Sequence, residues 1–206
     1  MRFAWLILLA IAFIPGCAFI DSTLTLEHVP VMEKRATSPL PVFLSRVNDR
    51  RPDPTRIGCK KNGMGSETAD LFLDVPLTNW IGGVMNEEFK RAGLTLVGSD
   101  DRSAVRVEVD LLDFFIEPDV GMTFDIWAVV HAEITVRFPN GTGFARRFAA
   151  LSNESSILPT DGSYTDQMEH SMRMWVHQVV SEIVALISTR NTARSEEVLF
   201  CWRAGL

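Results

Sequence analysis

The sequence is poor in the residue patterns that carry chemistry. Its four histidines contain no His-Glu-x-x-His pair. His170 and His177 are seven positions apart, two helical turns or about 10 Å, too far to hold one ion together. His28 and His131 stand without an evident partner. There is no Gly-x-Ser-x-Gly elbow, and Gly63-Met64-Gly65 lacks the Lys and Ser/Thr of a phosphate loop. Cys59 and Cys201 have no Cys-x-x-Cys neighbour to lower a thiol pKa. The carboxylates Asp110, Asp113, Glu117 and Asp119 lie around a strand end and its turn, where solvation accounts for them better than an acid–base pair does. These absences argue against an enzyme, a metal centre and a bound cofactor. Basic charge is also short: 26 acidic residues against 20 basic give a net charge of −6, which argues against a nucleic-acid binder. No internal repeat or low-complexity stretch occurs. Beyond the first residues no apolar run approaches the roughly 20 residues needed to cross a bilayer.

What is present begins with an address. Met1-Arg2 is a short basic start, and Phe3–Ile14 is an apolar run of signal-peptide length, too short to stay in a membrane as a spanning helix. It ends at Ile14-Pro15-Gly16-Cys17. This resembles the lipobox of bacterial lipoproteins, although Pro15 stands where a small residue is usual. The resemblance implies that Cys17 is diacylglycerylated, that residues 1–16 are cut away, and that the new amino group is acylated, typically with palmitate. Two or more acyl chains anchor a protein stably, at about 0.8 kcal/mol per buried methylene. Ala18 follows, where an Asp in enteric lipoproteins would hold the protein at the inner membrane. The expected location is therefore the periplasmic side of the outer membrane. Removing 16 of 206 residues leaves 190, enough for one domain with a proper core.

Three features point to interaction or stapling. Lipid takes one of the three cysteines, and the leftover pair, Cys59 and Cys201, is a disulfide candidate in an oxidising compartment; two separate buried thiols are the alternative. Arg46, Arg50, Arg51, Arg56, Lys60 and Lys61 form a basic cluster, offset within the stretch by Asp49 and Asp53. It reads either as a surface for a glycolipid, acidic glycan or protein, or as a loop with local Arg–Asp pairs. Gly82-Gly83 lies inside a helix, where each glycine costs about 1 kcal/mol against alanine. Close backbone approach, by the sheet or by a partner, would account for it.

The periodicities give the body. Residues 17–40 read partly as a tether, with an edge strand in Ser22–Val29. Strands are expected over Pro41–Val47, Ile57–Lys60 and Leu71–Leu73. A helix then starts near Asp74 as N-cap, carries Leu77, Trp80, Ile81, Val84, Met85 and Phe89 on one stripe, and ends at Gly93. Strands follow over Leu94–Val97, Ala104–Leu112 and Phe124–Phe138. Asn140–Gly143 turns the chain into Phe144–Leu151. A long helix over Thr165–Ser188 buries Met168, Met172, Trp175, Val176, Val179, Ile183, Leu186 and Ile187. It leaves Asp166, His170, Arg173, His177 and Ser181 in water. Residues 189–206 read as a tail with an apolar island at Val198–Trp202. The fold class expected is α+β, a mostly antiparallel sheet with two main helices packed on one face, with 41–188 as the periplasmic domain.

This order, with the lipobox, Asp49-Arg50-Arg51, Ile57-Gly58, Phe89-Lys90-Arg91-Ala92-Gly93 and Val105–Leu112, resembles the YajG-like family of bacterial outer-membrane lipoproteins over most of residues 41–188. That family has no established catalytic residues to carry over. The resemblance implies a non-enzymatic binding or assembly module of the cell envelope, with an accessory role in lipid or glycolipid transport as the alternative. An envelope protein or a glycolipid is the partner expected.

Overall fold

The computed structural model describes residues 19–28, 30–33, 41–98 and 101–204, with side chains described as far as Thr189. The expected signal segment and Cys17 therefore lie outside the described residues. The chain runs β1 (Ser22–Leu24), β2 (Pro41–Asp49), β3 (Gly58–Lys61), β4 (Glu67–Leu73), α1 (Leu77–Arg91), β5 (Thr95–Leu96), β6 (Val105–Val120), β7 (Phe124–Arg137), β8 (Gly143–Ser156) and α2 (Asp161–Ala204). Among the described residues no helix is long and apolar enough to cross a membrane.

The eight strands form one sheet with β6 as its spine. On one side β6 pairs antiparallel with β7, and β7 with β8, along nearly their whole lengths. On the other side the sheet forks. The first half of β6 pairs parallel with β2, which takes β5 on its far side. The second half meets β3 at Gly58–Ile116, and the β3–β4 hairpin then adds β1 in parallel. Pro118 helps to explain why β3 pairs so briefly, since it offers no N–H to a neighbour. The expectation of a mostly antiparallel sheet is thus corrected. The sheet is mixed, because β1, β2, β3 and β5 all join through parallel pairs.

One face of the sheet carries both helices and the core. Along β6 the buried side runs Val105, Val107, Val109 and Leu111. A bulge between Leu111 and Asp113 shifts the alternation by one, and Phe114 and Ile116 continue the same buried face. The strand consequently extends eight residues past Leu112, and Glu117 and Asp119 lie within it instead of in a turn. α1 buries Leu77, Ile81, Val84, Met85 and Phe89. It closes at Gly93, whose φ of 88° lets Gly93 N–H reach Lys90 O and Leu94 N–H reach Phe89 O. Pro76, not Asp74, precedes its first turn, and Asp74 instead accepts a hydrogen bond from Thr25.

α2 buries the stripe expected of it, with Val180 and Val184 added and Leu186 only partly covered. Its polar contacts with the sheet are specific. Ser171 Oγ donates to Ala128 O at 2.7 Å and meets Ser152 Oγ at 2.8 Å, while Trp175 Nε1 donates to Phe148 O at 3.2 Å. The helix runs to Ala204, so Val198–Trp202 falls within it and not in a separate tail.

The stretch expected to be a tether is, as far as it is described, part of the body. Leu24, Leu26 and Met32 are buried, and β1 is hydrogen-bonded into the sheet. Glu88 on α1 is fully buried and holds this strap. Its carboxylate accepts from Met32 N–H at 2.7 Å and from Val31 N–H at 3.3 Å, and pairs with His28 Nε2 at 2.7 Å. His28 therefore has a partner, and so does His131, which lies 3.1 Å from Asp113.

Candidate functional site: a groove between α1 and β2

The six basic residues do not make one open patch. Arg51 is buried and works inside its own loop. It grips Asp49 with two nitrogens (Nε–Oδ1 2.9 Å, Nη2–Oδ2 2.8 Å) and donates to the carbonyls of Arg56, Pro54 and Phe114. Two prolines, Pro52 and Pro54, interrupt this loop, and the guanidinium supplies the donors that tie its carbonyls down. Arg50 pairs with Asp110 at 2.9 Å. Burial pushes the Asp110 carboxyl up, but the hydrogen bonds from Asn48 and Arg50 outweigh it and hold the group below its usual range. Arg56 bridges Asp53, Glu67 and Asp70 and lies over the Phe115 ring. Its carboxylate partners hold its pKa above the ordinary guanidinium value.

Lys60 is buried, bonded to Ser22 Oγ at 2.6 Å and to Asp161 at 2.9 Å. Lys61 pairs with Glu117 at 2.7 Å, and that hydrogen bond raises its pKa. Only Arg46 has no ion pair within 4 Å among the described residues, though Asp110 feels its charge.

Cys59 is buried and has no disulfide partner among the described residues, and burial pushes its thiol up to about 11, so as a thiol it stays protonated at neutral pH. The expected Cys59–Cys201 bridge lies outside the described residues, since the side chains are described only as far as Thr189. Among the described residues no group of three or more His, Cys, Asp or Glu is set to hold a metal. His170 and His177 are exposed on α2.

The glycine pair marks the feature with most to offer a partner. Gly82 and Gly83 face a groove between α1 and β2, with Asn79 and Asn86 from the helix and Ser45, Arg46 and Val47 from the strand. Among the described residues a Cβ built on Gly83 would meet nothing within 4 Å, and one on Gly82 would only touch Val47 Cγ2 at 3.8 Å. Among the described residues neither glycine is needed for close packing, so the described part of the sheet does not account for their helix cost. β5 covers β2 only at Pro41 and Val42. Beyond them, among the described residues, the edge of β2 away from β6 has no strand partner. The groove therefore joins an open strand edge, one helical turn bare at Gly82-Gly83, and amide side chains that can both donate and accept. The glycine pair was visible in sequence. The open edge was not, because it depends on how early β5 stops.

The fold has relatives among solved structures. A protein from Xanthomonas campestris described under the family DUF330 superposes with a TM-score of 0.62 at 10% identity, over 83% of this chain and 99% of that one. A second, described as an uncharacterized protein, gives 0.51 at 13% identity over 79% and 99%. A minor lipoprotein from Acinetobacter baumannii overlaps only loosely, at 0.39 and 12% identity over 73% and 96%, and bears no weight. No family model matches the chain. No curated protein matches it. The two closer likenesses show a shared α+β fold and say nothing of what the chain does.

Proposed function

We propose that the chain is a YajG-like lipoprotein, anchored by lipid on Cys17 to the periplasmic side of the outer membrane, and that it is a non-enzymatic assembly module. In this reading the groove between α1 and β2 takes an extended segment of an envelope partner, which pairs along the free edge of β2 and lies against the bare Gly82-Gly83 turn of α1. The carrying observation is that Gly82 and Gly83 open onto this groove with no neighbour among the described residues that needs them. Arg46 on the groove wall favours a segment with a carboxylate. The alternative, an accessory in lipid or glycolipid transport using the basic loop, has less to stand on, since Arg51 and Lys60 are buried and Arg50, Arg56 and Lys61 are paired.

The test separates fold from partner. Gly83→Ala should raise stability by up to about 1 kcal/mol, read by urea denaturation. Gly83→Phe should fold normally, because the site is empty, yet block the groove. A photo-crosslinker placed at Asn86 in intact cells should capture a discrete envelope protein in the parent chain and lose it in Gly83→Phe. Equal capture in both, or none in either, removes the groove as the binding surface. Intact mass and membrane fractionation of Cys17→Ser test the anchor separately, since an unchanged lipid-bearing mass would refute it.

A further inference from the structure

The large apolar side chains most exposed to solvent are not scattered. Met64, Ile157 and Leu158 are 88%, 86% and 71% exposed, and Met122 is fully exposed. They sit on three tips. Met64 is in the β3–β4 turn, Met122 in the β6–β7 turn, and Ile157 and Leu158 follow β8.

The ladder register puts all three tips at one end of the sheet. β3 runs parallel to β6 from the Gly58–Ile116 pair, so its turn reaches as far along the sheet as the end of β6. Val120 pairs with Phe124 and Phe124 with Ser156, so the β6–β7 turn and the end of β8 lie level. The N-terminus emerges at this same end. β1 is parallel to β4 with Ser22 opposite Leu71, and residues before Ser22 point back toward the β3–β4 turn. Asp21 accepts from Asp70 N–H there. Phe19 and Ile20, 59% and 63% exposed, add two more apolar side chains.

Cys17 is two residues before Phe19, which confines it to within about 7 Å of that residue. The lipid of the proposed anchor thus emerges beside the apolar tips. A body held so close to a bilayer brings this end to the lipid whatever its tilt. We infer that this end of the sheet is a membrane-seating surface: Phe19, Ile20, Met64, Met122, Ile157 and Leu158 dip into the lipid interface and fix the body upright, leaving the opposite end, with the Asn140-Gly141 turn, facing the periplasm. The inference rests on the lipidation reading above and adds a second, direct contact with lipid. Charge does not drive it. Lys60 is bonded to Asp161, Lys61 to Glu117 and Arg56 to Glu67, and Asp119 and Asp125 lie nearby, so among the described residues the end offers no basic surface to anionic lipid. Apolar burial is the drive that remains.

The experiment uses the full acylated chain in phosphatidylethanolamine–phosphatidylglycerol vesicles. In a background with Cys59→Ala and Cys201→Ser, nitroxide labels are placed singly by Met64→Cys, Met122→Cys, Ile157→Cys and, toward the far end of β8, Ala145→Cys. Intact mass first establishes the acyl groups on Cys17. The labels at 64, 122 and 157 should collide more with oxygen and less with an aqueous nickel complex when vesicles are present. The label at 145 should stay aqueous, and raised salt should change nothing. An acylated, membrane-bound protein with all four labels aqueous overturns the seating surface while leaving the anchor intact. A protein with no acyl mass overturns the anchor, and the seating argument with it. As a second measure, Met64→Ser/Met122→Ser/Ile157→Ser/Leu158→Ser should fold like the parent, since all four sites are exposed. In a Cys17→Ser background it should bind vesicles about tenfold more weakly or worse; equal binding would reject the surface.

Discussion

Arg50 and Arg51 are adjacent in sequence and unlike in every physical respect. Arg50 is mostly in water, paired with Asp110, and such a surface pair contributes under about 1 kcal/mol. The Arg51 side chain is 4% exposed and binds a carboxylate and three backbone carbonyls. Taking it away strands Asp49 and those carbonyls with little water to replace it. Arg51→Ala is therefore expected to cost about 3 kcal/mol or more. Arg51→Lys should recover little, because an ammonium cannot fork onto all of these acceptors. Arg50→Ala should stay within about 1 kcal/mol of the parent. Urea denaturation of the three variants decides it, and equal losses at positions 50 and 51 would refute the assignment. A run of basic residues in a sequence gives their charge but not their depth. The same limit hid the pairing of Lys60 with Asp161, 101 positions away.

At the scale of elements, what was legible followed from local rules. The stripes of α1 and α2, the stop at Gly93 and the hairpin at Asn140-Gly141 depend on neighbours a few residues apart, and the structure has them as expected. β6 was cut short because Leu111 to Phe114 breaks strict alternation, and a bulge looks in sequence like a strand end. The parallel joins were missed for a different reason. Alternation marks a strand but not the direction of its partner, and short strands such as β1, β3 and β5 carry little pattern at all.

Gly58 is where one such join depends on a single residue. A Cβ there would overlap the Ile116 carbonyl oxygen, and that atom belongs to the backbone of the central strand. Gly58→Ala should accordingly destabilise by about 3 kcal/mol or more, at the harsh end of overpacking effects. Gly63→Ala, in the adjoining turn with nothing near it, is the control. Thermal unfolding of both variants provides the comparison, and a Gly58→Ala protein as stable as the control would mean that β3 does not sit against β6 as described.

At the scale of the whole molecule the N-terminal strap matters most, since in the proposed anchoring any force from lipid on Cys17 would reach the body through it. The strap binds at separate points: β1 to β4, Thr25 to Asp74, Leu26 O to Trp80 Nε1, and Glu27 N–H to Glu169. Glu88 is the deepest of these anchorages. It is a carboxylate with no exposure, satisfied by two strap N–H groups and His28, and its contacts span 56 to 60 positions. In the sequence it is simply one acidic residue beside another in α1, so its role could not be read there. Replacing it leaves the donors of Val31, Met32 and His28 unsatisfied in a buried place, which should cost about 1–3 kcal/mol. The loss should also be local, because these groups lie on the strap while the sheet is untouched. Glu88→Ala is thus expected to lower global stability modestly and to expose the strap first. Limited proteolysis should cut it between residues 25 and 33 well before the rest of the chain, and hydrogen exchange should quicken at Met32 while β7 stays protected. Glu87→Ala removes only a surface pair with Arg91 and should leave both readouts unchanged. If Glu88→Ala is cut no faster than Glu87→Ala, the strap is held by its other contacts and Glu88 is not its clasp.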